Sequence, residues 1–215
     1  MKLLSVNVGL PREVTWKGRT VTTGIFKEPV EGRVALRTLN LEGDRQADLS
    51  LHGGPSKAIY AYPAEHYDYW RAELADRTLS WGMFGENFTT EGLREDDVRI
   101  GDRFKIGSAE LMATEPRLPC YKLAIKFGRD DIIKRFLESG RTGFYFAVLR
   151  EGEIEAGDSI QLTQHDENDV SVADITRLYV RDKNDLEALR RAVKVQALPD
   201  SWREYFQRRI DKESR

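Results

Sequence analysis

The only cysteine of this chain, Cys120, lies in Glu115-Pro116-Arg117-Leu118-Pro119-Cys120-Tyr121-Lys122-Leu123, directly after a proline and between two cations. Arg117 and Lys122 would stabilise a thiolate, the form that attacks electrophiles or ligates a soft metal. A lone cysteine is equally at home as a small buried hydrophobe. Two prolines and two flanking cations describe a shaped, electropositive turn more than a strand core, so both readings stand at this point. One thiol excludes an internal disulfide, a four-thiolate iron–sulfur cluster and a multi-thiolate structural zinc site. The histidines His52, His66 and His165 are too scattered to suggest a metal cage.

Two further stretches carry chemistry. Leu41-Glu42-Gly43-Asp44 leads through Gln46 and Asp48 to His52-Gly53-Gly54-Pro55-Ser56-Lys57. Paired glycines let backbone approach a ligand, and their N–H groups beside His52 and Lys57 suit a phosphate or another anion, although a tight turn is the plainer explanation. In Phe84-Gly85-Glu86-Asn87-Phe88, Glu86 and Asn87 could exchange hydrogen bonds with a heterocycle or simply turn the chain into an edge strand. His66 and Tyr67 read as interfacial residues supporting the core.

These residues need a frame. At 215 residues, with 40% hydrophobic and 33% charged side chains, the chain can bury a core without staples and lies far from the disordered regime. A net charge of −2 and a pI near 6.0 give no overall attraction to nucleic acid or anionic lipid, so any anion site must be local. No apolar run approaches the ~20 residues of a membrane span. Met1-Lys2-Leu3-Leu4-Ser5-Val6-Asn7-Val8 reads as a first strand and not as a secretory signal, which predicts a cytoplasmic protein.

Over residues 1–164, short alternating runs bounded by Gly, Pro and Asp predict a mainly β domain, a sandwich or barrel. Val14-Thr15-Trp16 and Val21-Thr22-Thr23 around Lys17-Gly18 predict a hairpin. Gly101-Asp102 and Gly157-Asp158, each followed by alternating apolar residues, predict two similar turns. Helices are predicted from Pro63 to Leu74, with Tyr67, Trp70 and Leu74 on one face, and from Asp130 to Glu138, with Gly140 as the stop. After the polar run His165-Asp166-Glu167-Asn168-Asp169 the period turns helical. Leu186, Leu189 and Val193 make one stripe, and Trp202, Tyr205, Phe206 and Ile210 another, predicting a small helical subdomain over 172–215.

In their order along the chain, Leu41-Glu42-Gly43-Asp44 with Gln46 and Asp48, His52-Gly53-Gly54 with Lys57, Tyr62-Pro63 with Glu65-His66-Tyr67 and Trp70, Phe84-Gly85-Glu86-Asn87, and Pro116-Arg117 with Pro119-Cys120-Tyr121-Lys122-Leu123 resemble the MOSC (molybdenum cofactor sulfurase C-terminal) family. The likeness is to its stand-alone bacterial members associated with resistance to N-hydroxylated purine bases. It covers residues 1–164, and the tail is similar to the three-helix segment that follows the domain in this subgroup. The resemblance implies a β-barrel core with a few inserted helices and a small all-α tail. It also implies molybdenum held by the dithiolene of a pyranopterin (molybdopterin), with Cys120 as the protein's metal ligand. By likeness to the mitochondrial amidoxime-reducing component it implies reduction of N-hydroxylated small molecules, with the metal doing the difficult chemistry.

In that picture Arg117 and Lys122 neutralise the thiolate or the pterin phosphate, His52, Gly53, Gly54 and Lys57 form the facing loop, and Glu86 and Asn87 hydrogen-bond the pterin. His52 would also deliver a proton to the leaving oxygen. The chain has no flavin or nicotinamide fingerprint, so electrons are expected from a separate flavin or iron–sulfur reductase docked on the helical tail or the barrel rim. Deleting residues 172–215 would then impair turnover with that donor and spare turnover with a small reductant. A persulfide carried on Cys120, or a non-catalytic cofactor carrier, are the rival readings; a cysteine hydrolase built from Cys120, His52 and Asn87 has no supporting spacing.

Overall fold

The computed structural model describes residues 1–47 and 53–213. Twelve strands lie among them: β1 (Lys2–Val8), β2 (Arg12–Trp16), β3 (Arg19–Thr23), β4 (Glu28–Val30), β5 (Val34–Leu36), β6 (Ile59–Pro63), β7 (Phe88–Glu91), β8 (Arg103–Ile106), β9 (Ala109–Pro116), β10 (Phe144–Arg150), β11 (Gly152–Ile154) and β12 (Ile160–Gln164). The helices are α1 (Glu65–Glu73), α2 (Tyr121–Phe127), α3 (Ile132–Ser139), α4 (Val172–Val180), α5 (Leu186–Ala192) and α6 (Asp200–Glu213). None of them is long and apolar enough to cross a membrane.

Eight strands form one sheet in the order β12-β8-β9-β10-β6-β7-β1-β4, and small pairs β11-β5 and β2-β3 flank it. Every pairing is antiparallel except β6 with β7, which α1 joins as a crossover. The closed barrel expected from the resemblance is not found: the ladder is open, with β12 and β4 at its edges. The start of β1 does reach the far edge, through the isolated bridge Lys2↔Ser159 and the hydrogen bonds Leu3 N–H to Asp158 O (2.9 Å) and Gly157 N–H to Leu3 O (2.7 Å). That contact is a local seam and falls short of a ladder.

The central strand β6 shows how the two cores arise. All five of its residues are buried, because both faces of the sheet are covered there. Ile59 and Ala61 point into one core, shared with Leu3, Phe88, Phe104, Phe144 and Phe146, while Tyr60 and Tyr62 point into the other, with Tyr67, Trp70, Phe84, Phe127 and Phe136. The second core is an aromatic stack: Tyr62 lies 4.5 Å from Phe84 and 6.0 Å from Phe136, and Trp70 donates to the Tyr62 hydroxyl (2.7 Å).

Several local expectations hold. Lys17 and Gly18, both at positive φ (50° and 75°), make the two-residue hairpin turn between β2 and β3, whose register runs Trp16↔Arg19. The two Gly-Asp turns are alike: the carboxylate of Asp102 accepts from Arg99 N–H and that of Asp158 from Glu155 N–H, both at 2.9 Å. They feed β8 and β12, which pair with each other. Tyr67, Trp70 and Leu74 are buried together as the helical stripe predicted.

Two differ. Pro63 does not open a helix. It ends β6, paired with Thr90, and α1 begins at Glu65 because the N–H of Ala64 is still held by Thr90 O (2.7 Å). Helix α2, immediately after Cys120, was not expected; its seven residues are too few to show a clear period, though Gly128 at φ 63° caps it.

The helical tail does not stand apart. Val172, Ile175, Leu178, Leu189, Trp202 and Phe206 belong to the same continuous core as Phe104, Phe144 and Phe146 of the sheet.

Candidate functional site

The chain leaves β9 at Pro116 and reaches α2 through Arg117-Leu118-Pro119-Cys120. Cys120, extended (φ −123°, ψ 174°) and half-buried, is the last residue before the helix, so its side chain sits at the mouth of a cleft and not inside a core. The segment is fixed from behind. Arg117 N–H donates to Gly143 O (3.1 Å), Tyr60 Oη to Thr142 O (2.7 Å) and Tyr62 Oη to Arg141 O (3.2 Å), while Gly143 N–H is held by Glu95 Oε1 (2.7 Å). Gly143 is at φ 64°, and a Cβ there would meet Ala61 O at 2.4 Å.

Arg117 is the unusual residue. Only 5% exposed, its guanidinium lies between the rings of Tyr60 (5.2 Å) and Phe136 (5.1 Å), and Nη1 is buried with no hydrogen-bond partner. Burial opposes its charge, but the neighbouring Tyr60, Tyr145 and Cys120 hold it cationic. The same burial pushes the Tyr145 phenol up to about 12, so it stays a neutral donor at physiological pH.

The cleft beside Cys120 spans about 640 Å³, counting the solvent space at its open mouth. Its lining includes Lys27, Arg45, Lys57, Arg117 and Lys122, and no aspartate or glutamate among the described residues. Lys27 is balanced from behind by Asp44, with which it forms a buried ion pair; burial lowers its pKa, and Asp44 works against that. Lys57 lies 3.7 Å from Glu115 Oε2. Burial raises the Glu115 pKa, against the pull of Lys57 and hydrogen bonds from Trp202 and Ser56. Among the described residues Arg45, Arg117 and Lys122 have no carboxylate within ion-pair distance, so this described part of the wall attracts anions.

Of the residues singled out in the sequence, Cys120, Lys57, Asn87, Arg117 and Lys122 line this cleft together. Asp48 and His52 lie outside the described residues. Gly53 and Gly54 precede the short turn Pro55–Lys57, with Gly54 at φ 97°, and are not among the residues lining this cleft. Glu86 is placed away from the cleft as well. It is fully buried, accepts from Gly82 N–H (2.8 Å), Phe84 N–H (3.0 Å) and Thr89 Oγ1 (3.1 Å), and bonds the Tyr67 hydroxyl. Its carboxylate organises the turn. Asn87 also has structural partners: Nδ2 donates to Asp44 Oδ2 (2.9 Å) and Oδ1 accepts from Tyr60 N–H (3.2 Å). His66 is bound to Glu95 (2.6 Å) in the interior, as read from the helix.

Sequence reasoning missed Arg45, Lys27, Tyr60 and Tyr145. Arg45 directly follows the Gly43-Asp44 stretch and was within reach; nothing local marks Lys27, whose partner Asp44 is 17 residues on. A group of three or more His, Cys, Asp or Glu side chains able to hold a metal does not occur among the described residues.

This geometry has relatives. Residues 48–161 match the MOSC domain, and residues 170–213 match the YiiM-like 3-alpha helix domain. The chain belongs to the MOSC domain family. Strands β1 to β5, which precede the matched MOSC segment, are joined to it through β1 and β4 in the main sheet and β5 in its small pair with β11. The MOSC chain is 42% identical over 210 residues to the uncharacterized protein YflK of Bacillus subtilis, covering 98% of this chain and 95% of that one. It is 34% identical over 185 residues to a protein named Reductase from Gibberella moniliformis, covering 85% of this chain but only 32% of the fungal one. The crystal structure of YiiM from Geobacillus stearothermophilus superposes with a TM-score of 0.82 at 38% identity, over 97% of this MOSC chain and 98% of that one.

Proposed function

We propose that the protein is a cytoplasmic oxidoreductase that reduces N-hydroxylated compounds, N-hydroxylated purine bases among them, at a molybdenum–pterin cofactor bound through Cys120. The observation that carries this reading is a half-buried thiol at the edge of a cleft where, among the described residues, five cations and no carboxylate line the wall and one guanidinium nitrogen is buried and unpartnered. Those residues fit a phosphorylated organic ligand that brings a soft metal: Cys120 offers the thiolate, and Arg117, Lys122 and Arg45 offer the charge its phosphate needs. When bound, such a cofactor supplies two-electron chemistry that accepts the oxygen of an N–O bond.

The chain's own part is binding and exclusion. Tyr60 and Phe136 hold the Arg117 guanidinium flat, Asn87 and Asp44 brace the wall, and Tyr145 stays protonated beside Cys120 as a hydrogen-bond donor. The name of the fungal relative supports a reductive reaction. About two thirds of that protein lies beyond the shared segment, and the electron-supplying function this chain lacks is then a separate flavin or iron–sulfur protein.

Metal and pterin analysis of the purified protein tests the reading. Wild type should carry molybdenum and pterin together and reduce N-hydroxylated adenine with a small chemical reductant. Cys120→Ala should lose the metal and the activity with its circular dichroism unchanged. A cyanide-labile sulfur on Cys120 without metal would establish the persulfide carrier instead, and bound cofactor without turnover under any reductant the non-catalytic carrier.

A further inference from the structure

A second cleft opens on the other side of Cys120. It shares Lys57, Leu118, Cys120 and Tyr145 with the first, and its outer wall comes from the helical tail: Tyr179 of α4 with Trp202, Tyr205 and Arg208 of α6. It spans about 1,090 Å³, counting the solvent space at its open mouth. The two clefts differ in their electrostatics. In the second, Lys57 is answered by Glu115 (3.7 Å) and Arg208 by Glu204 one helical turn away (3.7 Å), so its cations are paired. What dominates its surface is ring area.

That ring area is built in. Trp202, only 6% exposed, is fixed by its indole N–H on Glu115 Oε2 (2.9 Å) and by Phe206 behind it (5.6 Å). Tyr179 and Tyr205 stand beside it, 5.5 and 6.4 Å away, both half-buried, with Tyr179 at 74° and Tyr205 at 90° to the indole plane. The helical stripe read from the sequence assigns Trp202 and Tyr205 to the core with Phe206 and Ile210; the structure buries Phe206 and Ile210 there and turns Tyr205 to the cleft.

We infer that this second cleft seats the substrate, and that Tyr179 and Tyr205, held in place by the buried Trp202 they pack against, select it as a neutral, planar heteroaromatic base stacked beside Cys120. The inference rests on the reductase reading above and adds where the substrate lies and what chooses it. A charged ligand has its place in the first cleft, where Arg45, Arg117 and Lys122 have no carboxylate partner among the described residues; a neutral flat ring gains most where paired charges and aromatic side chains meet, since base–aromatic stacking is tolerant of substituents and strong per ring. The helical tail is thereby part of the substrate site.

The test uses Tyr179→Leu and Tyr205→Leu with the conservative Tyr179→Phe and Tyr205→Phe. Adenine, a neutral planar probe, should bind wild-type protein with quenching of indole fluorescence and a calorimetric signal. Each Leu variant should weaken it about tenfold and each Phe variant should restore it. In the reductase assay, the preference in kcat/KM for N-hydroxylated adenine over N-hydroxyurea, which has no ring, should fall about tenfold in the Leu variants and recover in the Phe variants. Adenine affinity and substrate preference both unchanged in Leu variants that fold normally would overturn the inference, as would equal loss in Leu and Phe variants. Should no reductase activity be found while adenine still binds in a ring-dependent way, the reductase reading falls and the aromatic seat stands.

Discussion

Arg117 is a buried cation whose partner is not a carboxylate of the chain, and this has a stability signature. Burying a charge without a counterion is costly, and the two flanking rings recover part of that cost. Arg117→Met should therefore raise the stability of cofactor-free protein by about 1 kcal/mol, read from its denaturant midpoint, while abolishing pterin retention. A variant that is destabilised to the same degree as it loses cofactor would show that the arginine is structural. Glu115 gives a pH signature. Its pKa in the fold is raised above 4.5 by burial, so the native state holds a proton the unfolded chain releases. Its contribution to stability is fully present below 4.5 and is lost as pH rises through the folded value, so Glu115→Gln should flatten the pH dependence of the melting temperature just above 4.5. Cys120, Arg117 and Lys122 were legible because they are close in sequence; Lys27 and Tyr145 were not, since long-range packing alone brings them to the same cleft.

At the scale of elements, what was legible follows how local each signal is. The Lys17-Gly18 hairpin and the paired Gly-Asp turns each need only a few residues to declare themselves. Helix α2 is short, and the end of β6 at Pro63 is decided by Thr90, some thirty positions away along the chain, so local pattern misplaced both. The loop carrying Arg141, Thr142 and Gly143 is the element on which the back of the site depends. Gly143 combines a positive φ with backbone contact on Ala61, so Gly143→Ala should cost about 2–4 kcal/mol and loosen Arg117, measured as a drop in thermal midpoint together with weaker cofactor retention. A variant with native stability would contradict the close approach seen there.

For the whole molecule, the expected fold class was right in its mainly sheet core and helical tail, while the expected closure was not. Whether a sheet closes depends on register between its first and last strands, which no window of sequence records. The tail's apolar stripes complete the sheet's own core. Phe206→Ala should cost about 3–5 kcal/mol by equilibrium unfolding, typical of a fully buried aromatic. Because the tail completes that core, removing residues 172–215 should give a poorly folded, protease-sensitive chain that loses turnover with chemical and protein reductants alike; a well-folded truncation that keeps turnover with a small reductant would instead bear out docking of the donor on the tail.

The backbone bonds between Leu3 and residues 157–158 have a kinetic consequence. They join positions more than 150 residues apart, so the chain must be almost fully assembled before its first strand can find that partner. Loop-closure entropy of this kind places folding in the slow, topology-limited regime. On a ribosome, β1 would wait with its outer edge exposed until β12 emerges, and refolding of full-length protein should show a late phase that substitutions at the Gly157-Asp158 turn delay and substitutions in the Lys17-Gly18 hairpin leave alone.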